Sequence, residues 1–219
     1  MTNCAQSMTR PTRRARQQRL ALPQGCGGWR SRAGRKPRDP RRPDRHHSIR
    51  PFHDAATPVH VTARIIDGLP NLRRPAIVAA LEDAFRRRVA HAKARVIHYS
   101  IQASHLHLIV EADDRVRLFR GLQGLFVSLA RTINRAAERR GRVFALRYHA
   151  HALATPTETR RAIRYVLRNA NKHTGFVGGR DPASSAPWLA NPTHPRPPPV
   201  AAPRTWLLRV GWARAPAGA

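Results

Sequence analysis

The stretch Ile97–Glu111, IHYSIQASHLHLIVE, constrains what this chain can fold into more than any other. Two apolar runs, Ile97 to Ala103 and Leu106 to Val110, meet at Ala103-Ser104, a connection so tight that it predicts a hairpin of two strands, Arg95 to Ala103 and His105 to Ala112. The second run opens with His105-Leu106-His107. Side chains alternate across a strand, so both imidazoles leave one face and Leu106 leaves the other. A neutral imidazole is the commonest protein metal ligand, and a strand anchored by Leu108 and Val110 can hold a divalent ion rigidly. The spacing recurs at His149-Ala150-His151, so the tripeptide alone does not single out a metal site. A half-exposed strand with solvent-facing histidines fits it as well.

The neighbouring patterns supply the other elements. Val59 to Ile66 is β-branched and alternating, a first strand, and Gly68-Leu69-Pro70-Asn71 turns the chain. From Arg73 to Arg95 the residues Ile77, Val78, Leu81, Ala84, Phe85 and Val89 recur at three and four, which predicts an amphipathic helix. Asp113-Asp114 suits the start of a second helix, with Val116, Phe119, Leu122, Phe126, Leu129, Ile133 and Ala137 as its stripe and Arg139-Arg140-Gly141 as its end. Arg142 to Leu153 reads as a fourth strand. Thr155 or Thr157 caps a third helix reaching about Lys172, closed by Gly175. The order β-α-β-β-α-β predicts an α+β fold, a ferredoxin-like split βαβ sandwich. Its antiparallel sheet carries two helices on one face, and an extra C-terminal helix bears a tyrosine.

Three segments follow from composition. Residues 1–57 are rich in Arg, Pro and Gly without hydrophobic period, and cannot bury enough surface to offset ordering entropy, so they read as a disordered basic DNA-binding arm. Within it Gly34-Arg35-Lys36-Pro37 resembles short basic hooks that enter a minor groove, and a solvated charge run is the plainer reading. Residues 58–178 form the folded domain. Residues 179–219 are a Pro-rich tail whose apolar patch, Trp206 to Trp212, is placed to fold back as a clasp.

Charge narrows the partners. Of 219 residues, 41 are Lys or Arg and 12 are Asp or Glu, a formal net charge of +29, which favours a polyanion and nucleic acid first. No apolar run is long enough to span a bilayer, and no basic amphipathic anchor presents aromatics, so no membrane role is expected. Cys4 and Cys26 offer neither a disulfide framework nor a zinc knuckle. The first residues lack the apolar core of a secretory signal, so a cytoplasmic, nucleoid-associated protein is expected.

The helix ETRRAIRYVLRNANK holds the second candidate site. Ile163, Val166, Leu167 and Ala170 make its core stripe, whereas Tyr165 and Asn169, four apart, share a face that the wheel turns away from that stripe. A tyrosine kept only for packing belongs in the stripe. One on a flank can cover apolar surface with its hydroxyl in water, or it can do chemistry.

His105-Leu106-His107, a strand carrying Arg147-Tyr148-His149, and a helix with Tyr165 and Asn169 in RYVLRNANKHTG together resemble the single-tyrosine HUH transposases, in particular the REP-associated branch. The resemblance spans about Pro58 to Gly175. It implies a metal-dependent single-strand DNA endonuclease and strand transferase acting on hairpin or palindromic DNA. By this resemblance His105, His107 and Asn169 are metal ligands and Tyr165 is the nucleophile. The divalent metal is Mg²⁺ or Mn²⁺, and two imidazoles suit Mn²⁺ at least as well. An ordinary tyrosine has a pKa of about 10, so help in ionising the hydroxyl is expected from the metal or from flanking Arg164 and Arg168. Arg115, Arg117, Arg120, Arg131, Arg135 and Arg147, with the arm, are expected to seek phosphates without reading sequence. The resemblance leaves a monomer and a homodimer both open. A catalytically decayed or domesticated copy that binds DNA or RNA without cutting is the rival. An RNA-recognition motif fits less well, because the strand His105–Glu111 presents no aromatic to stack on bases.

Overall fold

A computed structural model of the chain describes residues 53–89, 93–169, 181–190 and 196–216. Arg35, Lys36 and the expected helix end at Lys172 and Gly175 lie outside the described residues. The strands are β1 (Val59–Arg64), β2 (Ala94–Ile101), β3 (His105–Ala112) and β4 (His149–Ala152), in one antiparallel sheet ordered β2-β3-β1-β4. Helix α1 (Pro75–Val89) joins β1 to β2, and α2 (Arg115–Ala136) joins β3 to β4. Each connection skips a strand, so two split βαβ units interlock and the expected α+β class is observed.

Strand alternation sorts the side chains. Val61 and Ala63 of β1 and Leu106, Leu108 and Val110 of β3 join Leu81, Phe85, Leu122 and Leu129 of α1 and α2 in the main core. Full burial of such a side chain contributes about 1.5–3 kcal/mol. Helix α2 crosses β2 closely, because a Cβ added at Gly121 would lie 2.5 Å from both Cβ and N of Ala94. Asp114 caps α2 by accepting from the Arg117 N–H at 2.7 Å.

Two sequence readings need correction. The α2 stripe is Leu118, Leu122, Leu125, Phe126, Leu129 and Ile133, while Val116 and Phe119 are 54% and 44% exposed. Leu118 lies four before Leu122 and seven before Leu125, whereas Val116 sits about 200° around the helix from Leu118. The fourth strand is also shorter than Arg142–Leu153. Only His149–Ala152 pairs with β1, and Phe144 adds one isolated bridge to Ile65. Around that bridge Ile66 N–H donates to Val143 O at 2.8 Å and Ala145 N–H to Arg64 O at 2.9 Å, and side chains serve the preceding backbone: Asn134 Nδ2 donates to Gly141 O at 2.8 Å and Arg142 Nε to Phe144 O at 2.7 Å.

On the other face of the sheet lies α3 (Pro156–Arg168), whose Ala162, Ile163 and Val166 pack with Ile97, Ile109, Leu153 and Leu208. Thr155 and Glu158 start it with a capping box: Glu158 N–H donates to Thr155 Oγ1 and Thr155 N–H to the Glu158 carboxylate, both at 3.1 Å. The C-terminal segment covers the same layer. Thr205 N–H and Oγ1–H donate to the buried Glu111 carboxylate at 2.8 and 2.7 Å, and short helices follow at Trp206–Arg209 and Gly211–Arg214. Among the described residues no helix is long and apolar enough to cross a membrane.

Candidate active site

The sheet register gathers histidines. Thr62 pairs with His107 on one side and His149 on the other, and His60 pairs with His151. Directly paired residues of an antiparallel sheet share a face, so His60, Thr62, His105, His107, His149 and His151 all lie on the face that α3 covers.

Against this face α3 sets its tyrosine. The Tyr165 ring meets His107 edge to face, with centroids 5.0 Å apart and planes at 88°, and meets His60 at 6.0 Å. His105 stands perpendicular to His107 at 4.8 Å. His107 is buried, and its Nδ1 lies 3.2 Å from His60 Nε2 and 3.2 Å from Thr62 Oγ1. Burial, followed by the charges of His151 and His149, lowers the His60 pKa to about 4. His60 is therefore a neutral imidazole near pH 7, able to accept one hydrogen bond and donate another.

Asn169 follows α3 as its C-cap and is only 1% exposed. Among the described residues neither its Oδ1 nor its Nδ2 has a hydrogen-bond partner. Such an amide costs about 1–3 kcal/mol if nothing binds it, which makes Asn169 a candidate ligand-binding group. No three His, Cys, Asp or Glu among the described residues are grouped to hold a metal, so an ion here would need the Asn169 oxygen beside His105 and His107. Two imidazole nitrogens and an amide oxygen fit a divalent ion of the Mn²⁺ type better than Mg²⁺.

Beside Tyr165 opens a cavity of about 620 Å³, lined by His60, His151, Arg161, Arg164, Arg168 and Asn169 among others. Glu158, the acid among its described lining residues, is turned to the capping box, accepting from Ala154 N–H at 2.9 Å and Thr155 N–H at 3.1 Å. The arginines therefore set the sign of the rim.

The rings of His105 and His107 are in contact, as are those of His107 and Tyr165, and Tyr165 lines the cavity with Asn169, Arg164 and Arg168, while His105 and His107 lie outside the cavity's lining. Asn169 differs from the wheel reading. It lies three residues beyond Val166 and continues the buried side of the helix, while Tyr165 alone stays on the flank. Arg147 is exposed just before β4. Arg115, Arg117, Arg120, Arg131 and Arg135 are exposed on α2, in the layer across the sheet from Tyr165, and Arg117 pairs with Asp113 and Asp114. Sequence reasoning missed His60, Thr62 and Arg161. The signal was present in Val59-His60-Val61-Thr62-Ala63, where polar side chains alternate as at His105 and His107. Only the register shows that the two polar rows meet.

A histidine-lined sheet face closed by a tyrosine helix is thus the class of site this fold defines. No family model and no curated protein matches the chain. Among solved structures it is similar to a REP-associated tyrosine transposase bound to a REP hairpin, at 14% identity and TM-score 0.48, over 72% of this chain and 92% of that one. It is also similar to a Deinococcus radiodurans protein crystallised as a candidate transposase, at 14% identity and TM-score 0.39, over 59% of this chain and 98% of that one. Both likenesses are partial, and the functional reading rests on this chain's own residues.

Proposed function

We propose that this protein is a transposase-like enzyme that nicks and rejoins single-stranded or hairpin DNA through Tyr165. The observation that carries the reading is the Asn169 amide, buried without a partner among the described residues in the cavity that Tyr165 lines. His105, His107 and Asn169 would hold the divalent ion. When bound, such an ion supplies Lewis-acid stabilisation of charge developing on a phosphate.

The chain's own groups do the rest. Thr62 and His60 flank His107 Nδ1, and accepting its proton there would leave Nε2 as the metal-facing nitrogen. Arg161, Arg164 and Arg168 would draw the strand's phosphates along the cavity rim. The Tyr165 oxygen attacks phosphorus, and the bond from phosphorus to the 3′ oxygen breaks. The phenolic proton is lost and the 3′ oxygen gains one, leaving a 5′-phosphotyrosine and a free 3′ hydroxyl. Another 3′ hydroxyl can reverse the step without a nucleotide cofactor, because the link conserves the phosphodiester's energy.

The test is a denaturing gel of purified protein with labelled single-stranded hairpin DNA, run with Mn²⁺, with chelator, and with Tyr165→Phe. A protein-linked band requiring both Mn²⁺ and Tyr165 is expected. Unchanged cleavage by Tyr165→Phe would refute the assignment, and hairpin binding with no adduct under any metal would leave a binding protein in its place.

A further inference from the structure

The C-terminal segment carries an aromatic surface that the Tyr165 site does not use. Tryptophan is highly buried on average, yet Trp206 and Trp212 are 53% and 38% exposed. Neither is on a loose end. Leu207 and Leu208, between the two tryptophans, are buried, Glu111 clamps Thr205 and Arg204, and the Arg160 guanidinium of α3 donates to Ala215 O at 2.6 Å. The Trp206 ring is also seated. A Cβ at Gly211 would come within 2.7 to 3.2 Å of three of its ring carbons, so the indole rests on bare glycine backbone. Folding therefore spends a glycine and four anchoring contacts to hold a half-exposed indole in place.

The surroundings specify the occupant. From Arg196 to Pro216 the chain has Arg196, Arg204, Arg209 and Arg214 and no acidic residue, and the last three arginines are exposed. The partner is therefore anionic. Flat aromatic faces beside cations suit a polynucleotide, because every base has a π-face that stacks on an indole regardless of sequence. In a duplex those faces are already occupied by neighbouring bases, so an unpaired strand is favoured. The segment packs on α3 itself, and Arg160 and Tyr165 are only about 7.5 Å apart along the helix axis.

We propose that Trp206 and Trp212 form a stacking platform for unpaired bases of single-stranded DNA. The proposal rests on the DNA-processing reading for the strand's destination at Tyr165, while the binding itself is separable from cleavage. Arg209 and Arg214 contact phosphates beside the platform.

Anisotropy of a labelled oligothymidylate, titrated with full-length protein at several salt concentrations, tests this. Trp206→Ala and Trp212→Ala are each expected to weaken binding by about 5- to 150-fold with no change in salt slope, the signature of lost stacking. Trp206→Phe retains a ring and is expected to recover most of the affinity, which separates stacking from misfolding. Arg209→Ala is expected to lower the salt slope by about one. Unchanged affinity in both Trp→Ala variants would overturn the proposal, as would equal weakening on a duplex. Binding of anionic phosphatidylglycerol vesicles in place of the oligonucleotide would overturn it too. Capture through Trp206 by a protein that forms no Tyr165 adduct would support the platform and sink the nicking reading alone.

Discussion

Glu111→Gln removes one charge while keeping the side chain's shape, and it tests what fastens the C-terminal segment to the sheet. The carboxylate is 1% exposed and accepts from Thr205 N–H at 2.8 Å, Thr205 Oγ1–H at 2.7 Å and Arg204 N–H at 2.9 Å, with the Arg95 guanidinium paired to it. Every neighbour is a donor. A Gln oxygen can keep the Thr205 bonds, but its NH₂ then confronts the Arg204 N–H and Arg95. Arg95, 13% exposed, is left with Asp113 at 3.8 Å as its nearest remaining counter-ion. Breaking a buried pair from one side costs about 3–5 kcal/mol, and the Asp113 contact puts the expected loss near the lower end, about 3 kcal/mol. For a body of this size that lowers the melting temperature by about 6–12 °C.

The same residue fixes the pH dependence. Burial alone would raise the Glu111 pKa, but the bonds from Thr205, Arg204 and Arg95 outweigh it and hold the carboxyl below its ordinary range. A carboxyl depressed in the folded state stabilises fully above its unfolded pKa of about 4.3, and loses that contribution as pH falls through the lower folded value. Thermal melts of both proteins from neutral pH into acid should show a gap that narrows below about pH 4. Equal melting temperatures at neutral pH, or a gap that stays constant through the acid range, would refute the charged clamp.

Other substitutions probe the site and its scaffold. His60→Ala removes one of the two neighbours of His107 Nδ1 and is expected to weaken Mn²⁺ binding about 10- to 100-fold by calorimetric titration; unchanged affinity would take His60 out of the metal site. Asn169→Leu should abolish the metal-dependent adduct yet raise the metal-free melting temperature, by removing a buried amide that, at a cost of about 1–3 kcal/mol, has no hydrogen-bond partner among the described residues. A lower melting temperature would mean that the amide is already satisfied. Gly121→Ala forces a methyl to 2.5 Å from Ala94 and should cost about 1–3 kcal/mol in denaturant unfolding; full stability would contradict the close crossing of α2 over β2.

Much of this was legible in local pattern, because each early element declares itself within a few residues. His105-Leu106-His107 lies on a strand, Asp114 and Thr155 cap helices, and Tyr165 stands off its helix's apolar stripe, as the sequence implies. What failed needed information from elsewhere in the chain. His60 became a site residue only through pairings that join β1 to β3 and β4, and pairing register leaves no mark within one strand. Val116 and Phe119 looked like core because period alone cannot say which of two overlapping stripes meets the sheet. Asn169 reads as turned away from the core because the wheel centres the stripe on Ile163, Val166, Leu167 and Ala170, whereas here it continues the buried side begun at Ala162 and Val166.

If Tyr165 is the nucleophile, as proposed, its placement means that charge and nucleophile need not be positioned separately. Arg161, Arg164 and Arg168 fall at i, i+3 and i+7, so their bases run as one line along α3, spanning about 10 Å beside the tyrosine. The helix carrying that line is held at its N-terminus by the Thr155–Glu158 box, beneath by Ala162, Ile163 and Val166, and at its side by the bond from Arg160 to Ala215. On the proposed function, a strand whose phosphates follow the arginines would be registered by the same helix that carries the Tyr165 hydroxyl. Any shift of α3 moves both together, so the relation between phosphate track and hydroxyl survives small motions of the helix. The histidines on the sheet are the separate half, and ring contact between Tyr165 and His107 is where the two halves must agree.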